Sequence, residues 1–351
     1  MATFAESVTD AWYQKKTWIY FLLPLMVLFW LISFVRRLLY RAGLLKSTEI
    51  PVPVIVVGNI SVGGTGKSPL TAYLVKELKS RGLRPGIVSR GYGGKSDAYP
   101  LFVNEDSKTC EAGDEPVMLY QMTKSPVVVD PIRSRAALKL FNEHDCNVII
   151  CDDGLQHYAL SRDIEICVID GKRGLGNGYL LPVGPLRETK KRLHDVDFVI
   201  VNGDKCSAEP LINGLSIKQD GFLFGMALQS ADLVNLFDAK VLPISKLKNL
   251  NIHAVAGIGN PGRFFSALGD FGASVAGCGY PDHHDFTEDN ILFEDDWPVV
   301  MTHKDAVKCR SLFEDKESDR PENLWFMPVN AQINESFIDT LCEKLKNCKA
   351  H

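Results

Sequence analysis

The sequence has no surplus of charge of either sign: 39 Lys/Arg against 43 Asp/Glu leave a net charge of −4 over 351 residues. Polyanion binding draws on a strong basic excess, so nucleic acid is not an expected partner. Paired cysteines are missing too. The nine Cys stand at 110, 146, 151, 167, 206, 278, 309, 342 and 348, an odd number with no C-x-x-C pair. That excludes a zinc ribbon and a disulfide framework. Widely spaced thiols fit a reducing compartment, where free Cys acts as a small apolar side chain. Only 18 Pro and 28 Gly are scattered through a chain that is 46% hydrophobic and 23% charged, which excludes disorder and collagen-like repeats. The length suits about two domains of roughly 100–200 residues each.

Charge is unevenly placed. Residues 1–50 hold six Lys/Arg against Glu6, Asp10 and Glu49, and this basic end is also the apolar end. Thr17 to Val35, TWIYFLLPLMVLFWLISFV, runs 19 residues without a charge between Lys15-Lys16 and Arg36-Arg37. As a helix it reaches about 28 Å at ~1.5 Å per residue, close to the ~30 Å hydrocarbon core of a bilayer. Trp12, Tyr13, Trp18, Tyr20, Trp30 and Tyr40 gather toward its ends, where amphipathic rings favour the headgroup zone. The run is long and is followed by RRLLYRAGLLK, with no small-residue cleavage site, which argues against a signal peptide. Pro24 predicts a kink. A spanning helix, a helix embedded from one side and a buried core helix all satisfy this run, and basic residues on both flanks leave its orientation open.

After Pro51 the pattern becomes strand, Gly-rich loop, helix: PVIVVGN, SVGGTGKSP, then PLTAYLVKELKSRG with Leu70, Leu74, Val75 and Leu78 on one face and Gly82 at the end. The loop Ser61, Val62, Gly63, Gly64, Thr65, Gly66, Lys67, Ser68 reads as an ATP-binding phosphate loop. Its glycines let backbone N–H groups wrap a phosphate, Lys67 reaches the β/γ-phosphates and Ser68 can ligate Mg²⁺. Ser61 stands where the first Gly of G-x-x-x-x-G-K-[ST] is usual, and an ordinary βα turn is the plainer alternative. Asn147 to Cys151 reads as a buried strand ending in Asp152-Asp153-Gly154, where a carboxylate can hold the Mg²⁺ shell or merely cap a turn. Further short strands at 86–90, 126–130, 164–170 and 197–202 alternate with helical pieces. The alternation predicts a parallel sheet covered by helices, with ligands at the carboxyl ends of its strands.

Several unusual strings coincide: VGNISVGGTGKSP, VSRGYGG, GDEP at 113–116, CDDGLQH at 151–157, LLPVGPLRE at 180–188, AGIGNPGRF at 256–264 and PDHHDF at 281–286. In order and spacing, from about residue 10 to about 290, they resemble the tetraacyldisaccharide 4′-kinase family, the lipid A 4′-kinases of Gram-negative bacteria. The resemblance implies transfer of the ATP γ-phosphoryl group, with Mg²⁺, to the 4′-hydroxyl of a tetraacylated glucosamine disaccharide 1-phosphate. The product would be lipid IVA, formed on the cytoplasmic face of the inner membrane. It also implies an Asp paired with a His as the group that takes the hydroxyl proton, matching Asp114 and His283, with Lys67 as the third catalytic residue. Read alone, Asp114-Glu115-Pro116 could simply begin a helix, His283-His284 could be solvated, and either His could be the partner. Gln156 and His157, with Arg90, Arg133 and Arg187, are candidates for the Mg²⁺ shell or the substrate's 1-phosphate. Glu115 is a further substrate candidate.

The expected architecture is α/β: a phosphate-loop NTPase core with a mostly parallel sheet, a smaller C-terminal α/β domain and an N-terminal membrane helix. The boundaries expected are 1–45 for the anchor, 46–215 for the kinase domain, 216–245 for a linker and 246–351 for the small domain. Two rivals remain. Gly257, Gly259 and Gly262 form a literal G-x-G-x-x-G with Asp282 twenty residues on, as in an NAD(P) oxidoreductase, although Pro261 sits inside the turn. The same segment fits a small α/β domain whose loop carries His283 toward the nucleotide. The other rival is a membrane-anchored regulatory NTPase, for which Val201-Asn202-Gly203-Asp204 imitates a guanine-reading N-K-x-D poorly.

Overall fold

The computed structural model describes residues 4–14, 16–203, 223–314, 316 and 319–348. Asp204, Cys206 and residues 216–222 of the expected linker lie outside them. The strands are β1 (Val54–Gly58), β2 (Pro85–Ser89), β3 (Leu101–Val103), β4 (Val127–Val129), β5 (Val148–Cys151), β6 (Ile164–Asp170), β7 (Phe198–Asn202) and β8 (Leu223–Ser230). They continue with β9 (Leu233–Asn235), β10 (Val241–Leu242), β11 (Asn251–Ala256), β12 (Ser274–Gly279), β13 (Val299–Thr302), β14 (Leu324–Met327) and β15 (Val329–Ile333). The α-helices are α1 (Phe4–Gln14), α2 (Leu23–Arg41), α3 (Lys67–Ser80), α4 (Thr109–Ala112), α5 (Asp114–Thr123), α6 (Arg133–Glu143), α7 (Pro261–Asp270), α8 (His303–Ser311) and α9 (Glu335–Asn347).

Two compact units share the chain: residues 1–90, 130–227 and 332–351 form the first, and 91–129 with 228–331 the second. Unlike the continuous boundaries expected from the sequence, both are assembled from separated stretches. The physical reason at the C-terminus is burial. Helix α9 hides Phe337, Ile338, Leu341 and Leu345, and Phe337 packs on Phe198, Phe224 and Tyr73 of the first unit.

In the first unit, parallel strands run in the order β8-β7-β6-β1-β5-β2. Strands β1, β2, β5 and β7 are buried at every position, which is why β1, β5 and β7 read as near-continuous apolar runs. From β1 the chain crosses through α3 to β2, passing over β5, whereas β6 lies on the other side of β1. The loops after β1 and β5 therefore emerge side by side at a switch point, the usual place for a ligand.

The apolar N-terminal run is helical from Thr17 to Arg41, by length and composition enough to cross a membrane. Thr17–Leu22 form a 3₁₀ turn, and α2 starts afresh at Leu23 with Pro24 in its first turn, where a missing N–H removes no helical bond. Ile19 is buried with Ala11, Trp12 and Val183, and the Trp12 indole donates to the Pro182 carbonyl at 2.9 Å. At its far end α2 is tied down by Arg37 and Arg41, both bonded to Asp195. Between these anchors Leu25, Val27, Leu28, Leu31, Ile32 and Phe34 stay exposed.

The second unit carries the sheet β10-β9-β14-β13-β11-β12, parallel from β14 to β12 and antiparallel at β9 and β10. One face buries Phe286, Ile291, Met301 and Phe313, the other Ile252, Phe264, Leu268 and Val300. An antiparallel β3–β4 pair and helices α4 and α5 complete the unit.

Candidate active site

In the first unit the Gly-rich loop joins β1 to α3. Gly66, the residue before α3, has φ +96, and a Cβ there would come within 2.8 Å of the Asn202 amide and 2.9 Å of Met226. Only glycine fits that turn. Two buried amides brace the loop from behind. The Asn59 side chain donates to the Gly63 carbonyl and to Thr65 Oγ1, each at 3.3 Å, and Asn202 donates to the Thr65 carbonyl at 3.0 Å. Ser61 is buried in a β-bridge to Leu186, and the Val62 N–H donates to the Pro185 carbonyl at 2.8 Å. Val62, part of the expected ATP-binding loop, thus gives its N–H to bracing the loop, and the bridge gives Ser61 a place that needs no glycine.

Beside the loop, Asp152 and Asp153 follow β5. Asp152 is 1% exposed and its Oδ1 accepts from Thr71 Oγ1 of α3 at 3.0 Å. Asp153 takes a left-handed φ of 47 and lies 3.7 Å from Lys67 Nζ and 3.2 Å from Arg187 Nη1. Burial pushes the Asp153 carboxyl up, but the Lys67 and Arg187 charges outweigh it and hold it below the ordinary value. Close approach fixes the turn: a Cβ on Gly58, at the end of β1, would meet Leu155 Cγ at 2.7 Å.

Arg133 has a different task from the substrate contact expected. It is 7% exposed, and its Nη2 donates to the Asp153 carbonyl at 2.8 Å, with the Asp152 carbonyl at 3.5 Å. Gln156 turns its amide NH₂ to the Asn59 carbonyl at 3.1 Å and to Glu188 at 2.8 Å, so only its Oε1 could meet a cation. His157 is half-buried, and burial, then the charges of Arg133, Arg162, Arg36 and Arg90, push its pKa down to about 4. It is neutral at pH 7 and no anion-binding cation. Arg90 is exposed at the end of β2.

Mg²⁺ takes hard oxygen ligands and keeps water and phosphate oxygens in its shell. The Ser68 hydroxyl and the Asp152 and Asp153 carboxylates are such donors. Among the described residues no three His, Cys, Asp or Glu side chains could hold a metal together. The set fits an ion that completes its shell with nucleotide and water.

In the second unit Asp114 opens α5 and is 5% exposed. His283, at a left-handed φ of 61, places Nδ1 3.1 Å from Asp114 Oδ2, while the Tyr92 ring lies 4.9 Å from its own. His284 turns away, with Nε2 3.2 Å from Asn290 Oδ1 and its ring on Tyr280. The partner question left open by adjacent histidines thus resolves in the geometry to His283. Lys304 and Lys308 of α8 stand 3.8 and 4.0 Å from Asp114 Oδ2. Burial raises the Asp114 pKa, yet the hydrogen bond to His283 and these two ammonium groups bring it below the ordinary value. Glu115 lies 3.6 Å from Lys304.

The dinucleotide reading of Gly257 fails here, because its N–H donates to the buried Asp305 carboxylate at 3.0 Å. Asp282, the acid twenty residues on, is 3.0 Å from Lys304. A model of the family described as LpxK, tetraacyldisaccharide-1-P 4′-kinase, matches residues 18–346. The chain belongs to this family. The match runs past the motifs to take in α8 and most of α9. A tetraacyldisaccharide 4′-kinase from Pseudoalteromonas atlantica is 46% identical over 329 residues, 93% of this chain and 100% of the relative. One from Methylobacillus flagellatus is 44% identical over 344 residues, 98% of this chain and 97% of its own. LpxK from Aquifex aeolicus, crystallised in complex with ATP, superposes with a TM-score of 0.77 at 30% identity, covering 94% of this chain and 99% of that one. Membership settles the α/β phosphate-loop class and removes the oxidoreductase and regulatory rivals.

Sequence reading gives no site role to Thr71, Asn59, Glu188 or Lys304, and offers Asn202 only within a poor guanine-reading string. Glu188 had a signal in LLPVGPLRE, of which only Arg187 was singled out. Thr71 and Lys304 had none, since each is an ordinary residue in an ordinary helix.

Proposed function

We infer that this chain transfers the γ-phosphoryl group of ATP to the 4′-hydroxyl of a tetraacylated glucosamine disaccharide 1-phosphate, forming lipid IVA. Family membership over residues 18–346, joined to a loop whose Lys67 rests 3.7 Å from Asp153, carries the reading. Phosphoryl transfer needs positioning and charge neutralisation more than covalent help. Lys67 exchanges Asp153 for the β/γ-phosphates when nucleotide arrives. Ser68 with Asp152 and Asp153 would hold Mg²⁺, which supplies neutralisation of phosphate charge. Arg133 and Thr71 fix the acidic turn from behind. Asp114 stays ionised and takes the hydroxyl proton, oriented by His283.

The N-terminal helix supplies the membrane contact. It runs from Thr17 to Arg41, long and apolar enough to cross a bilayer, and its exposed Leu25, Val27, Leu28, Leu31, Ile32 and Phe34 offer an apolar surface to lipid. The Ile19–Trp12 cluster and the ion pairs of Arg37 and Arg41 with Asp195 tie its two ends to the first unit. ATP confines the catalytic units to the cytoplasmic side. Incubation of the full chain with labelled ATP, Mg²⁺ and the tetraacyl disaccharide 1-phosphate should yield a bisphosphorylated lipid. Label remaining in ATP, or released only as free phosphate, refutes the reading.

A further inference from the structure

We propose that Lys304 is a positioning residue for the proton-accepting pair: its ammonium holds His283 in the tautomer whose Nδ1–H points at Asp114. The inference rests on reading Asp114 as the proton acceptor. Lys304 Nζ stands 3.3 Å from His283 Nε2 and 3.0 Å from Asp282 Oδ1. An ammonium has donors only, so Nε2 must present its lone pair and the single proton of neutral His283 sits on Nδ1, 3.1 Å from Asp114 Oδ2. The opposite tautomer would set a lone pair against a carboxylate and an N–H against an ammonium.

Lys304 is in an unfavourable place by every local rule. It lies in the first turn of α8, whose N-cap is Thr302, where the helix dipole disfavours a cation, and its side chain is only 14% exposed. Three carboxylates offset this, those of Asp114, Glu115 and Asp282, at 3.8, 3.6 and 3.0 Å. Burial lowers the Lys304 pKa, and these three acids outweigh burial and raise it, so the ammonium persists. The groups facing the pair are Tyr92 from its loop, Glu115 from α5, Asp282, and Lys304 and Lys308 from α8, with Asp305 behind Lys308 at 3.5 Å. The bond to Asp114, helped by the Asp114 and Asp282 charges, outweighs burial and the Lys304 charge and raises the His283 pKa above its ordinary value. Without Lys304 His283 would protonate more readily, and an imidazolium would hold Asp114 as an ion pair and weaken it as an acceptor.

The test uses the full chain in detergent with ¹⁵N-labelled histidine, the His283 signal being assigned by its loss in His283→Asn. At about pH 8.5, about two pH units above the ordinary His value of ~6.5 and so with room for the upward shift that Asp114 imposes, neutral His283 should show the Nδ1–H tautomer. Lys304→Met should mix the tautomers and move the His283 titration upward. It should lower kcat roughly 10–100-fold, more at about pH 6.5 than at about pH 8.5, with the KM for ATP changed less than about threefold. Lys304→Arg should recover part of kcat and most of the titration shift. An Nδ1 lone pair in the wild type overturns the proposal and needs no variant to fold. A Lys304→Met protein with the wild-type tautomer and pH profile overturns it equally. Wild-type turnover in Asp114→Asn would instead defeat the proton-acceptor reading, and the tautomer result would still stand or fall by itself.

Discussion

Replacing Arg133 with Met keeps the length and apolar stem of the side chain and removes only the guanidinium. That group donates to the Asp153 carbonyl at 2.8 Å, with the Asp152 carbonyl at the 3.5 Å limit. A hydrogen bond from a charged donor contributes about 1.5–3 kcal/mol, and the second, at its distance limit, adds little. Against this, Met avoids burying a charge, so the net loss should be about 1–3 kcal/mol. For a unit of about 200 residues each kcal/mol lowers Tm by roughly 2–4 °C, which gives a fall of about 2–12 °C. The turn that carries Asp153 loosens at the same time, so turnover with MgATP should drop while the KM for the lipid acceptor stays nearly constant. Differential scanning calorimetry and initial rates with varied ATP and varied lipid check both halves. An unchanged Tm with a raised lipid KM would show that Arg133 contacts substrate and would refute the internal role assigned to it.

Asp114→Ala and His283→Ala should each lower kcat by about 10²–10⁴, with the double variant hardly worse than the worse single one, because the two act as a unit; multiplicative losses in steady-state assays would separate their roles. His303 is half-buried, its ring stacked 4.5 Å from that of Phe326, and desolvation pushes its pKa down to about 4. Its unfolded value is ~6.5, so the unfolded chain binds the extra proton first, and the stability His303 supports above ~6.5 is lost as pH falls toward 4. His303→Phe should flatten that part of the stability profile in urea titrations between about pH 6.5 and 4, and an equally steep profile would exclude the residue as its source. Leu28→Lys with Ile32→Lys, two exposed positions on α2, should shift the protein from membranes to the soluble fraction without changing Tm; unchanged fractionation would remove α2 as the membrane contact.

The legible part of the site is the contiguous part. A phosphate loop needs a strand, a tight turn and a helix in immediate succession, and an acidic turn needs only a strand end, so Lys67, Ser68, Asp152 and Asp153 stand out in one dimension. The kinase family and the α/β class follow from such strings. Pro24 is accommodated because it lies where the helix passes from 3₁₀ to α, in the first turn of α2, so that it removes no α-helical bond. The interleaved units were invisible because nothing local distinguishes α9, which returns to the first unit to bury Phe337 beside Phe198.

The sequence by itself determined which chemistry the chain can perform, since backbone turns, strand periodicity and phosphate-binding residue types are local properties. Tertiary structure alone decided which histidine meets Asp114, that Arg133 faces inward to two carbonyls, and that Lys304 joins the pair from α8. Those choices depend on contacts 169 residues apart for Asp114 and His283, and 21 for His283 and Lys304. Partners at such separations are chosen by how sheets and helices pack, and side-chain type carries no record of that packing.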